Sequence, residues 1–198
     1  MKYDYNVIVI GAGSAGLVAA AGCATLGAKV ALIEKNLMGG ECLNTGCVPS
    51  KAFLRSSHLA SDIKKAKDFG LNVIFESSEL NIIMKRVEGV ISEIKENDSQ
   101  ERFVEMGVDV IRESAMLIDK HTVSAGNRTI TAKNIVIATG AVTRMPPIEG
   151  LEEVDVLTNE NIFKLKTLPE KLIVLGTGPV AMELGQGFAH LGSKVRIV

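Results

Sequence analysis

Tyr5-Asn6-Val7-Ile8-Val9-Ile10-Gly11-Ala12-Gly13-Ser14-Ala15-Gly16 is the stretch that decides the fold. Tyr5 to Ile10 is an apolar run, as expected of a strand buried on both faces of a parallel sheet. Three glycines at G-x-G-x-x-G spacing follow, then Leu17 to Leu26, rich in alanine and leucine, which reads as a helix ended by Gly27. Lys29 to Ile33 is a second buried strand closed by Glu34, completing a βαβ unit of about 30 residues. In such a unit Gly11 allows the tight turn and Gly13 lets the backbone approach a pyrophosphate. Gly16 lets the helix pack close to the strand, and the helix N-terminus points at the phosphates. Glu34 lies 18 residues after Gly16, where a carboxylate can bond a ribose hydroxyl. The reading is a dinucleotide site; the plainer alternative is a glycine turn that serves packing alone. Lys35 and Asn36 beside the acid are adenosine contacts or solvated loop residues.

Composition bounds the rest. The chain has 198 residues, which suits one large domain or one domain with part of another. It is 46% hydrophobic and 23% charged, with a net charge of −1, so nothing in it makes an electrostatic case for nucleic acid or a membrane surface. Val7 to Ile10 is too short for the apolar core of a signal peptide, and no stretch reaches the length of a membrane span. A cytoplasmic protein is expected. Three cysteines are too few for a disulfide framework, so a close pair points to catalysis or metal binding.

Further along, Ser50 to about Lys67 reads as a helix, Phe69 to Phe75 as a connection or short strand, and residues 79 to about 105 as one long amphipathic helical segment. Val108 to Ile111 and Ala115 to Ile118 look like strands. Thr122 to Ser124 and Thr129 to Thr131 flank Ala125-Gly126-Asn127-Arg128 as a hairpin. Asn134 to Ala138 is another buried strand running into Thr139-Gly140. Residues 141 to 171 read as a linker with a short helix near Glu160. The pattern then restarts: strand Leu172 to Leu175, turn Gly176-Thr177-Gly178, helix Val180 to Leu191, strand Lys194 to Val198. The fold class is α/β: a doubly wound, Rossmann-like dinucleotide domain over 1–150, a linker over 151–171, and the opening of a second such domain over 172–198. A βαβ unit cannot bury a parallel sheet alone, so the chain reads as part of something longer.

Cys42 and Cys47 are the remaining sharp feature. Residues five apart in a regular helix are hard to bridge, given the usual Cα limit of about 7 Å. A disulfide would need Cys42 in the entry loop or a distorted first turn, which Gly46 and Pro49 permit. A strained bond is easier to reduce, and a helix N-terminus favours a thiolate. Zinc usually takes four ligands, and no second Cys/His pair is present. Two buried thiols or a chance pair are the plainer alternatives. Cys23 reads as a structural thiol. His58, His121 and His190 read as surface or packing residues, and Lys64, Lys65 and Lys67 as a solvated face.

Gly39-Gly40-Glu41-Cys42-Leu43-Asn44-Thr45-Gly46-Cys47-Val48-Pro49-Ser50-Lys51 resembles the active-site signature of the class I pyridine nucleotide-disulfide oxidoreductases, the family of dihydrolipoamide dehydrogenase, glutathione reductase and mercuric reductase. Gly11 to Glu34 is similar to the FAD fingerprint of that family, Thr131 to Gly140 to its second FAD motif, and Gly176 to Glu183 to the start of its nicotinamide domain. The resemblance implies FAD and NADP or NAD as cofactors, and a Cys42–Cys47 redox disulfide. Cys42 would be the interchange thiol and Cys47 the charge-transfer thiol against the flavin, while Lys51 would sit near flavin N5, paired with Glu183. It also implies FAD contacts from Gly11, Gly13, Ser14, Ala15, Gly16, Glu34, Lys35, Gly40, Glu41, Ala115, Ala138, Thr139 and Gly140. Gly176, Gly178 and Val180 would hold the nicotinamide dinucleotide. The implied substrate is a small disulfide or dithiol, or Hg(II), with a slight lean to mercuric-reductase-like members, and the full-length protein would be a homodimer. Glu41 departs from the threonine most often found there; a carboxylate would repel phosphate unless it turned away or met a cation. The competing reading is a flavin-binding module or thiol sensor without turnover.

Overall fold

The structure, a computed structural model, describes residues 2–76 and 79–198. The chain divides into two compact units, Met1–Asn44 with Ser92–Pro146 and Thr45–Ile91 with Pro147–Val198. The α/β class is borne out in both. Among the described residues no helix is long and apolar enough to cross a membrane.

The first unit is built on one sheet. Strand β1 (Tyr5–Ile10) lies between β2 (Val30–Ile33) and the second half of β6 (Arg128–Ile137), parallel to both. β3 (Asp109–Ile111) extends the parallel run beyond β2. On the other side β4 (Ala115–Leu117), β5 (Thr122–Ala125) and β6 form an antiparallel meander, giving the order β3-β2-β1-β6-β5-β4. The apolar runs are explained by alternation. Ile8, Ile10, Ala31 and Ile33 pack on one face with Val123, Ala125 and Ile130 of the meander. Val9, Val30 and Leu32 pack on the other, with Leu17 and Ala20 of helix α1 (Ser14–Thr25) and with Phe103. A strand covered on both faces needs no polar residue at alternate positions.

Two expected strands, Thr129 to Thr131 and Asn134 to Ala138, prove to be one ten-residue strand, β6. Its first half pairs with β5 across a Gly126-Asn127 turn, and its second half pairs with β1. The segment expected as one long helix is broken: α4 (Leu80–Lys95) ends in a short 3₁₀ turn, and Ser99 starts α5 (Gln100–Glu105), its hydroxyl accepting from the Arg102 amide at 3.4 Å. A serine that can cap competes with helix continuation. The far end of the sheet is tied by a polar cluster. Arg128 donates to Asp109 Oδ2 at 2.8 Å and to the Tyr5 hydroxyl at 3.0 Å, and that hydroxyl donates to the same carboxylate.

The second unit packs α3 (Cys47–Lys65) and α4 against α6 (Pro179–Leu191) around Phe53, Met84, Val87, Phe163, Leu184 and Phe188. Gly187 makes the close helix approach possible: a Cβ there would lie 2.6 Å from the Phe53 ring. On its other side α6 covers the parallel pair β7 (Lys171–Val174) and β8 (Lys194–Ile197), with Gly185 against Val174, Val195 and Ile197. Helix α3 starts at Cys47, not Ser50. Pro49 falls in its first turn, where a missing N–H costs nothing because that donor has no intrahelical partner. Phe69 to Phe75 holds no strand; a 3₁₀ turn over Ala66–Phe69 ends at Gly70. The linker carries two 3₁₀ turns, Leu151–Glu153 and Ile162–Lys164, instead of one helix.

The Tyr5–Asp109–Arg128 cluster sets a pH dependence. The bond from Arg128, then that from Tyr5, holds the Asp109 carboxyl below its ordinary value of 3.8 against the opposing effect of burial. A lowered folded pKa stabilises above the unfolded value, and that contribution is lost as pH falls through the folded one. Asp109→Asn should lower stability by about 1 kcal/mol at pH 7, a figure discounted for solvent exposure. In urea melts the gap from the parent should close below pH 3.8.

Candidate functional site

Three backbone segments of the first unit meet at the carboxyl end of β1, where open α/β sheets bind their ligands. Gly11, at φ +101°, packs so tightly that a Cβ would lie 2.3 Å from the Ala138 carbonyl oxygen. Ala138-Thr139-Gly140, expected to close the last strand beside the loop, is therefore in contact with it. Gly16 has the packing role read for it: a Cβ there would lie 1.8 Å from the Gly11 oxygen. Gly13 differs, since a Cβ would meet only Gly40 Cα at 3.8 Å, an ordinary contact. Packing does not demand a glycine at 13. Gly13 caps α1 with no side-chain bond of its own, among the described residues no side-chain bond to the first-turn amides is seen, and Ser14 and Ala15 open the helix.

The cysteine-bearing segment is locked onto this loop. The Gly39 amide donates to the Ala12 carbonyl at 2.9 Å. Gly40, at φ +57°, sits so close that a Cβ would lie 2.5 Å from Gly13 Cα. A five-residue helix, α2 (Gly40–Asn44), starts there and carries Glu41 and Cys42. Sequence reading missed this helix. Its signal is Asn44, whose side-chain amide donates to the carbonyls of Met38 at 3.0 Å and Gly40 at 2.8 Å, while Leu43 is buried beneath. Glu41 is exposed and Cys42 half-buried. All three cysteines are thiols in this structure.

Glu34 is the polar hub. Its Oε2 accepts from the Ala12 amide and its Oε1 from the Asn36 amide, both at 2.7 Å. A carboxylate has about four lone-pair sites, so two remain for hydroxyl donors. Lys35 is exposed beside it, and Ala115 is half-buried at the start of β4. Arg112, which sequence reading did not single out, donates to the Asn36 carbonyl. These groups fit an adenine dinucleotide: uncapped helix donors, an open Gly13 and a pre-aimed carboxylate.

The second unit holds the remaining candidates. Cys47 is the first residue of α3 and is exposed, and Gly46 precedes it. Lys51 on α3 and Glu183 on α6 are both exposed, and no ion pair joins them in this structure. The helices run in the same direction, because Phe53 meets Gly187 while Lys64, three turns on, donates to the His190 carbonyl at 2.6 Å. Lys51 and Glu183 therefore sit at the same end of the pair. Gly176, at φ +97°, and Gly178, which caps α6 without a side-chain bond, form the second strand–turn–helix, and Val180 is exposed. His190 is more than a surface residue. Its ring lies 5.8 Å from His58, and its Nδ1 is buried without a hydrogen-bond partner.

Residues 5–198 match the model of a family described as pyridine nucleotide-disulphide oxidoreductase, whose members use FAD and NAD(P)H. The chain is 37% identical over 197 residues to a mercuric reductase of Bacillus cereus, covering 100% of this chain and 31% of that protein. It is 34% identical over 203 residues to a dihydrolipoyl dehydrogenase of Acholeplasma laidlawii, covering 100% of this chain and 60% of that one. Among solved structures, a Cu(II) complex of the HOCl-induced flavoprotein disulfide reductase RclA from Escherichia coli superposes with a TM-score of 0.82 at 30% identity, covering 97% of this chain and 41% of that one. The chain thus spans between about a third and three-fifths of these relatives' length.

Two outcomes follow from the geometry. Gly40→Ala should cost about 2 kcal/mol or more in chemical denaturation, through its positive φ and the clash with Gly13. Gly13→Ala should fold with nearly unchanged stability yet lose most of its affinity for FAD in fluorescence titration. In the second unit, burial first, then His58, Lys65 and Lys64, push the His190 pKa below 6.5, with Asp62 opposing. A histidine so depressed stabilises fully above 6.5 and progressively less as pH falls through its lowered folded value. His190→Gln should therefore flatten the stability loss between about pH 6.5 and 5 in urea melts.

Proposed function

The chain belongs to the pyridine nucleotide-disulphide oxidoreductase family, and from that premise we propose that it is the flavin-binding, thiol-bearing part of an enzyme passing electrons between NAD(P)H, FAD and a Cys42–Cys47 pair. The observation that carries the reading is the seating of Gly39 and Gly40 on the glycine loop, two residues before Cys42. When bound, FAD supplies the two-electron transfer between nicotinamide and thiols.

The chain's own residues then have these roles. The α1 N-terminus and Gly13 hold the pyrophosphate, Glu34 takes the adenosine ribose, and backbone at Ala115 meets the adenine. Ala138, Thr139 and Gly140 line the same cofactor. With a disulfide substrate, the Cys42 thiolate attacks one sulfur and releases the other as a thiol. Cys47 then attacks Cys42 Sγ, releasing the second thiol and leaving the Cys42–Cys47 disulfide. Lys51, with Glu183 as its partner, supplies positive charge beside the flavin. Gly176, Gly178 and Val180 receive the nicotinamide dinucleotide, NADP or NAD. The cofactor domain runs to about residue 150, the linker to 171, and the nicotinamide domain opens at 172. The substrate is a small disulfide or dithiol, or Hg(II); the mercuric reductases among the relatives favour the last. The whole protein is a cytoplasmic homodimer.

Anaerobic reduction of the flavin-loaded protein with NADPH should produce a long-wavelength thiolate–flavin band. Cys47→Ser should abolish it, and Cys42→Ser, whose lone Cys47 thiolate faces oxidised flavin, should show it before any reductant is added while ending turnover. A protein that holds no flavin, or two variants with the same spectrum, contradicts the reading.

A further inference from the structure

Arg112 belongs to none of the motifs, yet it closes a ring of hydrogen bonds around Glu34. The Glu34 amide donates to the Ile111 carbonyl at 2.9 Å, anchoring the end of β2 to the end of β3. The next residue on β3's side, Arg112, sends its guanidinium back to the Asn36 carbonyl. The Asn36 amide donates to Glu34 Oε1 and the Ala12 amide to Oε2, each at 2.7 Å. Both carboxylate oxygens are thus held in place by backbone, and the Asn36 carbonyl is held by the Arg112 side chain. Residues 35 to 37 are otherwise exposed, and no further bond from the sheet reaches Asn36 among those described. Without the guanidinium the loop would keep only the bond from the Asn36 amide to Glu34, and ligand binding would bear part of the entropy cost of fixing it. A planar multi-donor group suits the role, because it can satisfy a carbonyl while remaining solvated.

We propose that Arg112 is a positioning residue for the adenosine half of the dinucleotide: it fixes the 34–36 loop so that Glu34 presents its two remaining lone-pair sites to the vicinal ribose hydroxyls. This rests on the flavin reading above and adds a residue that acts through Glu34 and not on the ligand itself.

The test uses the full chain freed of flavin, with ADP and 2′,3′-dideoxy-ADP as probes in calorimetric titration and FAD in fluorescence titration. Arg112→Ala should raise the dissociation constants for ADP and FAD about tenfold and leave that for dideoxy-ADP within twofold. Arg112→Lys, which retains a donor of sufficient reach, should recover most of the affinity. In a Glu34→Gln background, Arg112→Ala should change ADP binding by less than twofold. Equal losses for ADP and dideoxy-ADP, an undiminished effect in Glu34→Gln, or unchanged ADP affinity in Arg112→Ala overturns the inference while the flavin reading stands. A parent chain that binds neither FAD nor ADP overturns both. Loss of melting temperature alone, without discrimination between the two nucleotides, would assign Arg112 a purely structural role and also overturn the inference.

Discussion

The contact between Gly13 and Gly40 is the constraint on which the site depends. Two backbones approach so closely that a single added carbon at residue 40 would sit 2.5 Å from Gly13 Cα. Neither residue is held there by side-chain packing of its own. The approach follows from Gly39 bonding to Ala12, from the buried Met38 and Leu43, and from Asn44 closing the turn from the far side. Its consequence is chemical. The glycine loop that suits a pyrophosphate and the segment that carries Cys42 become one rigid surface.

Glu34 joins this surface to the rest of the sheet. Its carboxylate bridges the glycine loop and the loop after β2, and its amide bonds β3. A side chain held by two backbone donors is pre-aimed, which is the arrangement expected where binding must not waste energy on ordering. Glu41, the second residue of α2, is exposed beside this surface.

Much of this was legible in the sequence because it is local. The apolar runs of β1 and β2, the glycine spacing and Glu34 all lie within 30 residues of one another, and each constrains the next. The elements misread were those set by distant partners. β6 is one strand because β5 takes its first half and β1 its second, pairings more than 100 residues apart for β1. The break at Ser99 pits a capping hydroxyl against a continuous amphipathic pattern, and Phe103 of the helix it starts packs in the first unit's core, a partner no local window shows. Tyr5, Asp109 and Arg128 meet from three strands, as do Arg112 and Asn36 from two loops, so no window of sequence holds either cluster. The start of α3 at Cys47 was hidden by Pro49, which reads as a stop but is tolerated in a first turn. The pairing of His190 with His58 at 5.8 Å joins two helices far apart in sequence, so no local window shows it.

A crystal structure of the protein with FAD would show whether the Cys42-bearing turn and the glycine loop form a single flavin site. Pyrophosphate density is expected on the N-terminus of α1 in contact with Gly13, the adenosine ribose on Glu34, and the flavin half of the molecule running past Gly40 towards Cys42. Pyrophosphate bound away from Gly13, or a flavin ring remote from both Cys42 and Cys47, would contradict it.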